Sequence, residues 1–128
     1  MTQTAQSHFD VLRDQQYMNL ITFRKTGEVI KTPVWFVQDG EHLYVMTVNN
    51  SGKIKRIRNN GRVNVEPSDR AGKPLGATVN AQARVLPASE NKRADDLLNN
   101  KYGWQKRAFD VVLNLRRTRR AYVEITPV

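Results

Sequence analysis

A chain of 128 residues is long enough to bury one hydrophobic core and too short for two, so residues 1–128 are read as a single domain. There is no cysteine, which excludes a disulfide framework, thiolate metal sites and thiol catalysis together. Lys and Arg number 21 against 12 Asp and Glu, a net charge of +9. Such a balance fits a polyanionic partner (nucleic acid, an acidic membrane surface, or a small ligand bearing phosphates and carboxylates), or simply a basic solvated surface.

The first seven residues are polar and lack the order of a signal peptide, and no later apolar run reaches membrane-spanning length. The expectation is a soluble, cytoplasmic protein with no membrane partner. Residues 5–16 are predicted to form a short helix with Phe9 and Leu12 on one side. From Tyr17 the period becomes two, with Met18, Leu20 and Thr22 alternating against Asn19, Ile21 and Phe23. Residues 25–28 read as a hairpin turn with Gly27 at positive φ, residues 29–38 as a second strand, Asp39-Gly40 as a tight turn, and 42–48 as a third strand. These three strands are expected to form an antiparallel meander.

The periodicity then switches. Residues 51–60 carry Ile54 and Ile57 among basic residues, a short helix capped by Ser51 and stopped by Gly61. Residues 62–66 are a strand ended by Pro67, 68–76 a polar turn, and 77–86 a strand whose small apolar face, Val79, Ala81, Ala83 and Val85, needs a close covering layer. Ser89 is expected to cap a helix through Leu97 and Leu98 to Gly103. A second helix over 104–117 buries Trp104, Ala108, Val111, Val112 and Leu115, and a last strand spans 121–126. Short antiparallel strands with a few helices suggest a small closed barrel.

The strongest local signal is Thr47-Val48-Asn49-Asn50-Ser51-Gly52-Lys53, a strand running into a helix through small polar residues. Free N–H groups and a partial positive charge at a helix start hold phosphate. Gly52 admits an anion, Ser51 offers a hydroxyl and Lys53 a charge; the plainer reading is a capped helix with a solvated lysine. A lysine in the first turn opposes the helix dipole, which favours the functional reading. The glycine spacing excludes a Walker loop. Thr32-Pro33-Val34-Trp35 is the second candidate. A proline there marks an edge or a place where a flat ring meets the strand, and an edge strand with Trp35 in the core serves equally well.

His8 and His42 have no spacing for a triad or a metal site. Asp95-Asp96 reads as a solvent face, and the arginines at 116, 117, 119 and 120 as a basic helix end rather than an RNA contact.

Taken in order, these segments resemble the pyridoxamine-phosphate-oxidase-like, FMN-binding split barrels, and specifically their deazaflavin (coenzyme F-420)-dependent branch. The resemblance rests on Leu20-Ile21-Thr22-Phe23-Arg24-Lys25 before Gly27, then Thr32-Pro33-Val34-Trp35-Phe36 and Leu43-Tyr44-Val45. It continues through the run from Ser51 to Asn60 and Lys101-Tyr102-Gly103. It implies a mainly β fold with flanking helices, a six-stranded antiparallel split barrel, paired as a homodimer with cofactor sites between subunits. It further implies that Ser51, Gly52 and Lys53 hold the cofactor phosphate and that Thr32, Pro33 and Trp35 lie along the tricyclic ring. Thr47 and Asn50 would line the ribityl chain, and Arg56 and Arg58 would attract an acidic tail. No catalytic side chain and no metal are expected, since the cofactor carries the chemistry. The implied activity is hydride transfer to a small conjugated or ring-shaped electrophile. The alternatives are an FMN-dependent oxidoreductase, or a non-catalytic cofactor- or nucleic-acid-binding module.

Overall fold

The computed structural model describes residues 8–49 and 51–128. Strands β1 (Tyr17–Phe23), β2 (Val29–Val34), β3 (Val37–Asp39), β4 (His42–Val48), β5 (Arg62–Ser68), β6 (Val79–Val85) and β7 (Arg120–Pro127) form one sheet. Helix α1 (Gly52–Asn59) follows β4, while α2 (Asn91–Tyr102) and α3 (Trp104–Leu115) lie between β6 and β7. All pairings are antiparallel, so the fold is mainly β with flanking helices.

The sheet has seven strands in the order β2-β1-β5-β6-β7-β4-β3, not six. The extra strand comes from a break in the stretch expected to be continuous over 29–38. β2 pairs with β1 and β3 with β4, at opposite ends of the sheet, with only Trp35 and Phe36 between them. The expected meander is therefore two hairpins, and this short bend joins the two edges of the sheet. The backbone of Phe36 leaves the ladder for α2: its N–H donates to Tyr102 Oη at 2.9 Å, and its carbonyl accepts from Lys101 Nζ at 2.7 Å. With Phe36 fully buried, these partners satisfy polar groups that water cannot reach.

Inside the barrel, Met18, Leu20, Leu43, Val45, Val63, Val65, Val123 and Ile125 meet Ile54 and Ile57 of α1. Ala81 and Ala83 are small because α1 packs over β6, so the chain itself supplies the covering layer their face requires. A second apolar cluster seats α2 against the other face of β4 and β7 through Tyr44, Tyr122, Ala94, Leu98 and Tyr102.

Four local expectations need correction. Of the helix expected over 5–16, residues 5–7 lie outside the described residues; the rest holds only a 3-10 turn, Asp10–Leu12, followed by Asp14 at φ 62. Pro67 lies within β5, at a level beyond the last β6 pair, where a proline breaks no β5–β6 bond. Ser89 sits inside a 3-10 turn, Ala88–Glu90, and does not cap α2. The apolar stripe of α3 is not buried: Trp104 and Leu115 are 76% and 80% exposed.

Candidate functional site

Where β2, β4 and α1 converge, the fold leaves a cavity of about 210 Å³. Thr32, Pro33 and Trp35 form one wall, Thr47 another, and Lys53 enters from the first turn of α1. Five of the ten residues singled out from sequence thus line one cavity, although they lie on three separated elements. Met46, Val48, Leu98 and Phe109 complete its apolar lining. Trp35 stacks on Tyr102 at 4.6 Å and meets the tilted ring of Phe109 at 5.8 Å.

Ser51 caps α1, its Oγ accepting the Ile54 N–H at 3.4 Å. Gly52 opens the helix beneath the Arg56 side chain; a Cβ at Gly52 would stand 2.7 Å from Arg56 Nη1. Arg56 Nε donates to Thr22 Oγ1 at 2.6 Å, which fixes the guanidinium over the helix start. Arg56 lines a second pocket of about 230 Å³ with Arg24 and Lys25. Arg58 is exposed and lines neither pocket, so the structure separates it from the other site residues. Asn50 lies outside the described residues.

Lys53 has no hydrogen-bond or ion-pair partner among the described residues. Burial lowers the pKa of its ammonium, and the nearby Arg56 charge lowers it further. Arg56 is itself held below the usual arginine range by burial and then by Arg24. Arg24 has Glu28 at 2.7 Å, but neither Lys53 nor Arg56 has a carboxylate among the described residues. Two adjacent, partly desolvated cations at a helix N-terminus suit a bound anion. The apolar slot beside them suits a planar ring, yet its volume is below the roughly 300 Å³ at which small-molecule sites begin.

One member of the site was not legible in the sequence. Lys106 of α3 lines the same cavity and is fully buried, its Nζ donating to Asp95 and Asp110 at 2.6 Å each and to Asn99 at 3.2 Å. Tyr122 donates to Asp95 at 2.6 Å and Arg120 to Asp110 at 3.0 Å. Asp95 therefore faces inward, while Asp96 alone stays at the surface with Lys92. The i,i+4 spacing of Lys106 and Asp110 was the available signal.

The chain belongs to the pyridoxamine 5'-phosphate oxidase family, whose model matches residues 4–127. No curated protein matches it in sequence. Among solved structures it is similar to HutZ, the heme storage protein from Vibrio cholerae, at 16% identity and TM-score 0.69, over 94% of this chain and 87% of that one. A FAD-binding protein from Mesorhizobium loti aligns at 19% identity and TM-score 0.61, over 93% and 84% of the two chains. An F-420 reductase aligns at 18% identity and TM-score 0.59, over 98% and 96%. At these identities the likeness to solved structures is one of fold: the chain is a split barrel of the pyridoxamine-phosphate-oxidase type.

Proposed function

We propose that this protein is a deazaflavin (coenzyme F-420)-dependent oxidoreductase of the cytoplasm, acting on a small organic electrophile. The observation that carries the reading is the Lys53–Arg56 pair at the start of α1, without a carboxylate partner among the described residues, beside an apolar slot walled by Pro33 and Trp35. Lys53, Ser51 and the free N–H groups of α1 would hold the cofactor phosphate, and Thr47 would face the chain that links it to the ring. Trp35 and Pro33 would set the plane of the ring and exclude water from one side. When bound, the cofactor supplies hydride transfer; the protein orients it.

The basic groups do not stop at the phosphate position. Arg56 continues into the pocket with Arg24 and Lys25, which suits a ligand carrying further anionic groups beyond one phosphate. That supports a deazaflavin with its acidic tail over FMN, and gives the tail role to Arg56, Arg24 and Lys25 more than to Arg58. The small cavity supports a homodimer in which a second subunit completes the pocket.

Titration of the purified protein with coenzyme F-420 and with FMN tests this reading. Lys53→Ala is expected to weaken F-420 binding roughly ten- to a hundredfold, the size of one lost charge-assisted contact. The loss should shrink as salt rises. Lys55→Ala, an equal change of charge on the exposed side of α1, should have little effect. Tighter binding of FMN than of F-420 would reassign the cofactor, and no binding of either would leave a non-catalytic module.

A further inference from the structure

Helix α3 is inverted. Lys106, Asp110 and Leu113 face the body of the protein, joined to α2 and β7 by the charge network. On the opposite side, by the 3.6-residue period, Trp104, Ala108, Val111, Val112 and Leu115 make a continuous apolar stripe open to solvent. Of the nine large hydrophobic residues exposed among the described residues, five belong to this 12-residue helix. Single exposed apolar residues need no explanation, but a concentrated patch does.

The surroundings of the stripe name its occupant. Arg107, Arg116, Arg117 and Arg119 are exposed at its edge and C-terminal end, with no carboxylate partner among the described residues. The only acidic residue of the helix, Asp110, is turned inward. A second copy of α3 on this stripe would bring four more arginines and no outward-facing carboxylate of the helix to pair with them. An anionic lipid surface satisfies both features, taking the apolar stripe at the acyl boundary and the arginines at its phosphates.

We propose that α3 docks flat on an anionic membrane surface, with Trp104 and Leu115 inserted at the headgroup level and the four arginines on lipid phosphates. Such a helix lies in the plane of the surface and does not span it. The proposal does not depend on which cofactor the pocket takes.

The test is flotation of the full chain with phosphatidylcholine vesicles, with and without phosphatidylglycerol, read alongside tryptophan fluorescence. Binding is expected only to the vesicles containing phosphatidylglycerol, with a blue shift, and should weaken as salt rises. Arg107→Ala with Arg116→Ala should reduce binding roughly thirtyfold, at about one basic contact per residue. Val111→Ser with Leu115→Ser should abolish the blue shift while the melting curve stays unchanged, since both side chains are exposed. Equal binding to both vesicle types, or to neither, overturns the proposal. So does a wild-type oligomer that ignores vesicles and dissociates in the Val111→Ser, Leu115→Ser variant, because the stripe is then a subunit interface.

Discussion

Trp35 lies on Tyr102 with ring centroids 4.6 Å apart and planes 14° apart, at the point where one strand leaves one sheet edge for the other. The same phenol accepts the Phe36 N–H at 2.9 Å and donates toward the carbonyls of Gln16 at 2.7 Å and Phe36 at 2.8 Å. One side chain at the end of α2 therefore fixes both the ring that walls the cavity and the backbone bend that brings it there.

Tyr102→Phe should keep the stack and lose the hydrogen bonds. The Phe36 N–H is then buried without an acceptor, a cost of about 1–3 kcal/mol in urea unfolding. Cofactor affinity should fall by less in this variant than in Trp35→Ala, which removes the wall itself. If Trp35→Ala melts and binds like wild type, the ring site lies elsewhere. Burial also pushes the Tyr102 hydroxyl above the ordinary tyrosine range, so the clamp persists into alkaline solution.

Lys101 supports the same bend, donating to the carbonyls of Gln15 and Phe36 at 2.7 Å each and lying 3.8 Å from the Phe36 ring centroid. Burial lowers it from the ordinary lysine value of 10.5 to about 8, against a weaker upward pull from Asp14. Between those two values the unfolded chain binds more protons than the folded one, so this group makes stability rise with pH across the window. Urea midpoints measured at intervals across it should rise for wild type, and Lys101→Met should remove that component.

The Lys106 network anchors α3, and breaking it should be costly. Lys106→Met leaves Asp95 and Asp110 without their ammonium, and removing one partner of a buried pair costs about 3–5 kcal/mol. Burial alone would raise Asp95, but hydrogen bonds from Lys106 and Tyr122 and the nearby cations outweigh it and hold the carboxyl below its ordinary 3.8. Its stabilisation is thus complete above that ordinary value and is lost as pH falls through the lower folded one. In Lys106→Met the acid transition, followed by circular dichroism, should move to higher pH.

Much of this was legible because β-sheet alternation and turn chemistry are local. β4 and Gly27 with its hairpin follow directly from period and glycine placement, and α1 from the Ile54–Ile57 stripe. The convergence of Thr32, Pro33, Trp35, Thr47 and Lys53 was legible through order and resemblance, not through spacing. The break at Trp35–Phe36 was not, because the groups that draw Phe36 out of the ladder come from residues 101 and 102, far along the chain. α3 misled for a related reason. Its apolar period is regular, but the face that meets the body carries Lys106 and Asp110, whose partners on α2 and β7 only the tertiary fold supplies.

Gly52 controls where Arg56 sits, and replacing it tests the basic series without touching a charge. A methyl group there would come within 2.7 Å of Arg56 Nη1, the free end of a flexible side chain, so the guanidinium moves and the backbone does not. Moving it weakens the 2.6 Å bond from Arg56 Nε to Thr22 and draws a cation away from Lys53. Alanine in place of glycine favours the helix by up to about 1 kcal/mol, while the lost bond to a charged group costs about 1.5–3 kcal/mol. Gly52→Ala should therefore unfold within roughly 2 kcal/mol of wild type, yet bind F-420 roughly tenfold or more weakly, close to Arg56→Ala. Because both changes act through one guanidinium, the double variant should bind no worse than Arg56→Ala alone. Additive losses in the titration would mean that Gly52 meets the ligand directly through its backbone, and that Arg56 is positioned independently of it.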